Sequence, residues 1–83
     1  LVVSDDPANR HALVVVCPIG TTRSGYPTRV ELEPGRSGLD HVSYVQCEQI
    51  RTISAKRLTS RLGSADVSVI AEVERVLRLL LRL

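Results

Sequence analysis

Two stretches decide the fold: Val14-Val15-Val16-Cys17-Pro18-Ile19-Gly20-Thr21-Thr22 and Val45-Gln46-Cys47-Glu48-Gln49-Ile50-Arg51-Thr52-Ile53. In each, an apolar run ends in a cluster of hydroxyl, amide or charged side chains. β-Branched residues favour strands, and an apolar run bounded by turn signals is typical of a buried strand. The pattern therefore predicts buried strands that bring reactive groups to one edge of a small β structure.

Weaker signals of the same kind continue along the chain. We predict a strand end at residues 1–4, strands at 12–19, 26–32 and 41–53, a helical turn at 54–58 with Ser54 as its cap, and a short strand at 59–63. Ile70, Val73, Leu77 and Leu80 recur at helical spacing, so one long helix should begin at Val67. Ser64 or Asp66 would cap that helix, and Glu74 and Arg78 would pair one turn apart.

Length and composition limit the architecture. The 83 residues make one domain, 1–83, and the absence of Phe, Trp and Met leaves the core to Val, Leu and Ile. Several close strands followed by one helix predict an α+β, mainly β fold: a small, strongly bent β-barrel with a short helical turn and a C-terminal helix. The helix end carries a surplus of leucines, which indicates burial in a homodimer or against a strand that precedes Leu1. These are Leu79, Leu80, Leu81 and Leu83.

Cysteine usage and hydropathy narrow the class of protein. Cys17 and Cys47 both lie in apolar runs, where a free thiol behaves as a small hydrophobe. Two cysteines are too few for a secreted disulfide scaffold and their spacing does not suit a metal, although a bridge between the two strands stays conceivable. No signal peptide or membrane-spanning run is visible, which favours a reduced cytoplasm and no membrane association. We expect no metal and no cofactor.

Five stretches, taken in order and spacing, resemble the MazF/PemK family of toxin endoribonucleases. They are Leu1-Val2-Val3-Ser4 with Asn9, Val16-Cys17-Pro18-Ile19, Gly25-Tyr26-Pro27 with Val30, residues 47–53, and Arg61-Leu62-Gly63. The resemblance covers essentially the whole chain. It implies a small SH3-like barrel, a homodimer, and metal-independent cleavage of single-stranded RNA at short sequence motifs. It also implies a cognate MazE-like antitoxin whose acidic tail covers the same groove.

The chain departs from the family pattern at two places. The family's first strand and the Arg that follows it, before a Pro, would lie upstream of Leu1, and the resemblance implies that this Arg does most of the catalysis. The family's active-site Thr lies two residues after the Pro of the loop, and the matching residue here is Gly20. Thr21 is therefore the first catalytic candidate and Thr22 the second. Both could equally be ordinary loop threonines.

Charged and amide side chains around the two strand ends are the candidates for binding RNA. Gln49 could read a base edge and Glu48 could accept from an exocyclic amine, while Arg23, Arg29 and Arg51 could contact the RNA, Arg23 and Arg29 by following phosphates. The alternative is that these residues form a solvated strand end. Tyr26 could stack on a base or pack beside Pro27 as a loop anchor. Ten of the eleven basic residues are Arg, yet the net charge of +2 alone does not indicate RNA.

Three functions remain open on this sequence. The first is a sequence-specific endoribonuclease that acts by attack of the RNA 2′-OH. The second is a catalytically impaired relative that binds antitoxin or RNA without cleaving. The third is an SH3-like interaction module, for which two tyrosines are few. A catalytic pair of His11 and His41 is disfavoured because nothing in the sequence brings the two together, and a nucleophilic cysteine because apolar surroundings raise the thiol pKa.

Overall fold

The computed structural model describes residues 1–4, 13–35, 37–58 and 62–83. These residues form strands β1 (Leu13–Val16), β2 (Ile19–Gly20), β3 (Arg29–Leu32), β4 (Ser43–Gln46) and β5 (Arg51–Ser54), and a helix α1 (Val67–Leu81). Two single 3₁₀ turns, Cys47–Gln49 and Ala55–Arg57, follow β4 and β5. The loop predicted at residues 5–10, His11, and most of the short strand predicted at 59–63 lie outside the described residues.

The strands form two antiparallel sheets, one ordered β1-β5 and the other β2-β4-β3. Each of the two stretches that decide the fold contributes to both sheets. The first leaves β1, passes Cys17-Pro18 and enters β2; the second leaves β4, passes the Cys47–Gln49 turn and enters β5. Each of the two strands predicted at 12–19 and 41–53 is therefore two strands joined by a corner, and the corner lies at a cysteine.

The corner at Cys47 forms where the chain makes a last bond to the strand beside it and then enters a 3₁₀ turn. The Cys47 N–H donates to the Thr28 carbonyl at 3.2 Å, and the Ile50 N–H donates back to the Cys47 carbonyl at 3.2 Å. The second bond closes a 3₁₀ turn, which ends the pairing of β4 with β3. Strands that switch sheets at such bends are how two packed sheets share one chain.

The N-terminal residues extend the two-stranded sheet along β1. Val2 forms a bridge with Val16, the Val3 N–H donates to the Val15 carbonyl at 2.9 Å, and the Cys17 N–H donates to the Leu1 carbonyl at 2.8 Å. The strand end predicted at residues 1–4 is therefore paired as a strand would be. The predicted fold class, α+β and mainly β with a helical turn and a C-terminal helix, is confirmed. Across the described residues the two sheets are not closed into a true barrel.

The helix covers the inner face of the three-stranded sheet. Val73 and Val76 are buried against Val30, Leu32 and the neighbouring core, and α1 packs on β3 and on the Cys47–Gln49 turn. The buried stripe shares Val73 and Leu77 with the predicted one and includes Val69 and Val76, which were not predicted. Leu80, predicted to face the core, is 41% exposed because the stripe turns through Val69, Val73 and Val76 instead.

The ends of the helical segments follow the cap prediction. The Ser54 hydroxyl accepts from the Lys56 N–H at 3.4 Å, and Asp66 is the N-cap of α1, with its carbonyl accepting from Val69 and Ile70. The exposed ion pair on α1 joins Glu72 to Arg75 three residues on, not Glu74 to Arg78 as predicted.

A close approach fixes the loop after β3 to the segment before α1. Gly38 has φ +75°, and a Cβ built on it would lie 1.9 Å from the Leu62 carbonyl oxygen. Only glycine fits both the left-handed backbone and this contact. Within the described residues, no helix has the length and apolar character needed to cross a bilayer.

The core makes a direct prediction about stability. Leu32 is 4% exposed on β3, so Leu32→Ala should lower the free energy of unfolding by about 2–5 kcal/mol, through lost burial and a residual cavity. Leu13 is 71% exposed on β1, so Leu13→Ala should have little effect. Urea denaturation of both variants measures the difference. Equal losses in the two would contradict the assigned core.

Candidate functional site

The outer face of the three-stranded sheet carries a polar surface. The register pairs Gly20 with Tyr44, Glu31 with Tyr44, and Arg29 with Gln46, so these residues lie on the same side of the sheet. We call Gly20, Arg29, Glu31, Tyr44 and Gln46 the polar face. The alternate residues of β3 and β4 point inward and are buried beneath α1. The helix therefore leaves the polar face uncovered.

An ion pair anchors one end of the polar face. Arg29 Nε donates to Glu48 Oε2 at 3.0 Å, and Arg29 Nη2 lies 2.8 Å from the same oxygen. The Thr28 hydroxyl donates to Glu48 Oε1 at 2.8 Å. Both carboxylate oxygens of Glu48 are therefore bonded, which ties the turn after β4 to the beginning of β3.

The side chains of this pair are partly shielded from water, at 17% exposure for Arg29 and 23% for Glu48. Partial burial by itself raises the pKa of the Glu48 carboxyl. The hydrogen bonds from Arg29 and Thr28 and the charge of Arg29 outweigh that effect, so the pKa lies below its ordinary value of 4.5. Glu48 is thus held as a carboxylate and is a poor proton donor at neutral pH.

Tyr26 contacts the Arg29–Glu48 ion pair on the side that faces solvent. The Arg29 guanidinium lies 5.4 Å from the centre of the Tyr26 ring, within range of a cation–π contact, and the Arg29 N–H donates to the Tyr26 carbonyl at 3.1 Å. The ring is 60% exposed. Tyr26 is therefore oriented by Arg29 and still offers surface to a ligand.

The loop between β2 and β3 carries the candidates Thr21, Thr22 and Arg23, all exposed. Within the described part of the chain, no side-chain hydrogen bond or ion pair joins them to Arg29 or Glu48. The sequence placed these residues in one site, and the structure places the loop beside the polar face through β2 without fixing their side chains. The catalytic roles of Thr21 and Thr22 stay predictions.

Gln49 and Arg51 lie on the other side of Glu48 and are exposed. Arg51 Nε approaches the Gln49 carbonyl at 3.5 Å, which leaves the Gln49 carboxamide unengaged by that contact. Of the five predicted RNA-binding residues, Arg29 and Glu48 are joined through their side chains, and Arg51 contacts the backbone of Gln49. The roles assigned to Arg23, Arg29, Glu48, Gln49 and Arg51 likewise stay predictions.

The two cysteines meet in the core. Both are free, both have no solvent exposure, and both belong to the same buried cluster. Burial raises the pKa of Cys17 and raises that of Cys47 to about 11. A raised thiol pKa makes each a poor nucleophile at physiological pH, in line with the sequence-based expectation. His41 is exposed before β4, and His11 lies outside the described residues.

The sequence reasoning did not single out two residues of this region. Thr28 donates to Glu48, and Gln46 lies at the centre of the polar face. The alternation of Tyr44, Gln46 and Glu48 along one strand face was visible in the sequence. What the alternation could not show is the register that sets Gln46 beside Gly20 and Arg29.

Comparisons with known proteins agree on one family. A family model described as PemK-like, MazF-like toxin of type II toxin–antitoxin system matches residues 1–81. The chain is 33% identical to Endoribonuclease EndoA of Bacillus subtilis (strain 168), with all of this chain and 74% of that protein covered. It is 34% identical to Endoribonuclease MazF of Staphylococcus epidermidis, with 93% and 67% covered.

The fold comparison gives the same result. A solved structure of an endoribonuclease in complex with its cognate antitoxin, from a mycobacterial species, superposes with a TM-score of 0.82 at 31% identity. The match covers all of this chain and 79% of that one. Sequence and fold therefore point to the same relatives.

The Arg29–Glu48 pair predicts a measurable dependence of stability on pH. Because the folded pKa of Glu48 is lowered, its contribution is present above the ordinary carboxyl pKa and is lost as the pH falls through the folded value. Glu48→Gln should cost about 1–3 kcal/mol at pH 7, since it removes the charged partner of Arg29. The difference from the parent protein should shrink below about pH 4.

The matched control is Glu72→Gln, which removes a carboxylate from an exposed ion pair on α1. Exposed pairs contribute little, so this variant should unfold at nearly the parent's midpoint. Urea denaturation between pH 3 and pH 8 compares the three proteins. If the Glu48→Gln variant is as stable as the parent at pH 7, the Arg29–Glu48 pair does not anchor this end of the polar face.

Proposed function

We propose that this chain, which belongs to the PemK-like, MazF-like toxin family of type II toxin–antitoxin systems, is an endoribonuclease that cleaves single-stranded RNA. The observation that carries the proposal is the polar face. Its open side, opposite α1, is bordered by the loop of Thr21, Thr22 and Arg23 and by the turn of Glu48 and Gln49. Relatives that cover the whole chain are named endoribonucleases.

The proposed reaction needs no metal. The RNA 2′-oxygen attacks the adjacent phosphorus and loses its proton, the bond from phosphorus to the 5′-oxygen breaks, and that oxygen takes up a proton. The products are a 2′,3′-cyclic phosphate and a 5′-hydroxyl. Hydrogen-bond donors fixed around the phosphate stabilise the charge that builds up on its non-bridging oxygens. Thr21 is the proposed donor from the loop, with Thr22 as second candidate.

Binding and sequence selection would come from the residues around the ion pair. Tyr26 offers an oriented aromatic surface on which a base can stack, and stacking on aromatic side chains is a general means of holding single-stranded RNA. The exposed Gln49 can read a base edge, and Arg23 and Arg51 are exposed cations for phosphates. Arg29 and Glu48, which bond to each other, would act first by orienting Tyr26 and the turn.

The proposal includes two protein partners and a compartment. A mycobacterial relative is solved in complex with its cognate antitoxin, which supports a MazE-like antitoxin for this chain. An acidic antitoxin tail would compete with RNA for Arg23 and Arg51. We place the pair in the cytoplasm, where messenger RNA is accessible, and propose a homodimer as the working form.

A catalytically impaired relative is the second candidate, and Gly20 is the observation that favours it. The resemblance puts the family's active-site Thr at this position, and glycine has no hydroxyl. In this case the chain would bind RNA or antitoxin without cutting. One experiment separates the two candidates.

The first prediction of the proposed function concerns cleavage. The purified, antitoxin-free protein should cut a long synthetic single-stranded RNA in EDTA at discrete positions, leaving 2′,3′-cyclic phosphate ends, as primer extension and end analysis would show. Thr21→Ala should slow cleavage by about a hundredfold if it supplies a phosphate donor. Thr52→Ala, an exposed threonine of β5, is the matched control and should cleave normally. Intact RNA from folded protein would contradict cleavage by residues 1–83.

The second prediction concerns the dimer. The last turn of α1 exposes Leu79 at 68%, Leu81 at 51% and, beyond it, Leu83 at 87%, an apolar end that a second copy would cover. The protein should therefore sediment as a dimer at micromolar concentration, and Leu79→Glu should shift it towards monomer. Val67→Glu, at the other end of the helix and 86% exposed, should not. A parent protein that sediments as a monomer would refute the homodimer.

A further inference from the structure

The end of the Gln46 side chain occupies the space above Gly20. Gly20 on β2 pairs with Tyr44, and Gln46 lies two residues further along β4 on the same face. A Cβ built on Gly20 would lie 2.5 Å from Gln46 Nε2 and 3.8 Å from Gln46 Cδ. The carboxamide therefore lies across the glycine backbone, where the side chain of any other residue at position 20 would begin.

The backbone N–H of Gln46 is bonded, whereas its carboxamide is not. The Gln46 N–H donates to the Pro18 carbonyl at 2.8 Å, and the residue pairs with Arg29 in the sheet. Within the described residues, no hydrogen bond engages the carboxamide. A glutamine amide carries two N–H donors and one acceptor. The polar face thus contains a half-buried donor whose main chain is fixed and whose amide is available.

The other side chains of the polar face differ from the Gln46 amide in charge or in the donors that they carry. Arg29 is charged, and its Nε and Nη2 bond to Glu48. Glu31 can only accept hydrogen bonds when it is ionised. The Tyr44 hydroxyl can donate one bond. Gln46 is therefore the uncharged side chain of the polar face with two unused N–H groups, and it lies on β4 beside β2, which leads into the loop that carries Thr21.

We propose that the Gln46 carboxamide is a catalytic donor that replaces the side chain missing at position 20, by donating a hydrogen bond to a non-bridging oxygen of the RNA phosphate. The proposal rests on the endoribonuclease function proposed above. A hydroxyl on residue 20 would lie one covalent bond beyond the Cβ position, in the volume that Gln46 Nε2 fills. The two donors are alternatives for one place: a side chain at position 20 requires Gln46 to move.

A neutral amide suits this role for a physical reason. Negative charge increases on the non-bridging oxygens as the 2′-oxygen bonds to phosphorus, and a donor already aimed at that point stabilises it without reorganising. The amide neither gives up nor takes up a proton in the step. Its loss should therefore lower the rate at every pH by the same factor and leave the shape of the pH profile unchanged.

Two single variants test the donor. Gln46→Leu keeps the approximate size and removes both N–H groups, so it should lower the single-turnover cleavage rate by about a hundredfold. Gln46→Glu keeps the shape, removes the donors and adds a negative charge beside the phosphate, so it should cleave more slowly still. Thermal melts of both variants check that they are folded. Thr52→Val, an exposed polar-to-apolar change on β5, is the matched control and should cleave like the parent.

A double variant tests the exchange of donors. Gly20→Thr combined with Gln46→Leu places a hydroxyl near the vacated volume, and should recover at least about tenfold of the rate lost in Gln46→Leu. A structural role for Gln46 would not be rescued in this way. If the double variant recovers no activity, a hydroxyl on residue 20 and the Gln46 amide do not act from the same place.

Sulfur substitution identifies the contacted atom. RNA with a single phosphorothioate at the cleaved bond, prepared as each of the two stereoisomers, replaces one non-bridging oxygen by a weaker acceptor. One isomer should slow the parent protein markedly more than it slows Gln46→Leu. Equal thio effects in the two proteins for both isomers would refute the phosphate contact.

Binding separates this inference from the proposed function. A 2′-O-methyl version of the same RNA cannot be cleaved, and its affinity is measured by fluorescence anisotropy. If the parent binds without cutting, the endoribonuclease fails, and weaker binding by Gln46→Leu with a thio effect would still support the phosphate contact. If parent and Gln46→Leu cleave and bind equally, the inference fails and the enzyme stands. If the parent neither binds nor cleaves, both fail.

Discussion

The packing of two buried thiols is the constraint on which the rest of this structure depends. Cys17 and Cys47 have no solvent exposure, lie in the same core cluster, and mark the two places where the described chain passes from one sheet to the other. A chain without Phe, Trp or Met must fill such a crossing with small side chains. Cysteine fits because it behaves as a small hydrophobe that can approach closely. The two sheets meet at this point, and α1 covers the core beside it.

The corner at Cys47 also produces the functional region. Because the chain turns there instead of continuing as a strand, Glu48 points towards the start of β3 and reaches both Thr28 and Arg29. Arg29 in turn contacts the ring of Tyr26. One backbone turn thus fixes a carboxylate, a guanidinium and an aromatic ring in sequence along the end of the polar face. Such fixed geometry lowers the cost of ordering a ligand.

The sequence predicted local elements well and long-range partners poorly. The start of α1, the Ser54 cap and the mainly β class follow from periodicity and capping chemistry, which act over a few residues. The break at Cys47 did not follow, because the point where β4 stops pairing is set by β3, a strand that lies far from it in the chain. For the same reason the sequence offered Arg29 and Glu48 as two independent RNA contacts, whereas the structure joins them in an ion pair.

The position of Gln46 shows why one residue type at one position does not settle whether a site is active. Glycine at position 20 removes a hydroxyl, and judged on that residue alone the chain looks impaired. The sheet register, however, brings the carboxamide of Gln46 into the vacated volume. A bound phosphate requires a hydrogen-bond donor at a given position, whichever residue carries it. Gln46, two residues beyond the Tyr44 that pairs with Gly20, can place a donor there. On the proposed function, the hydroxyl that is absent at Gly20 and the donor offered by Gln46 would be two sides of one structural change.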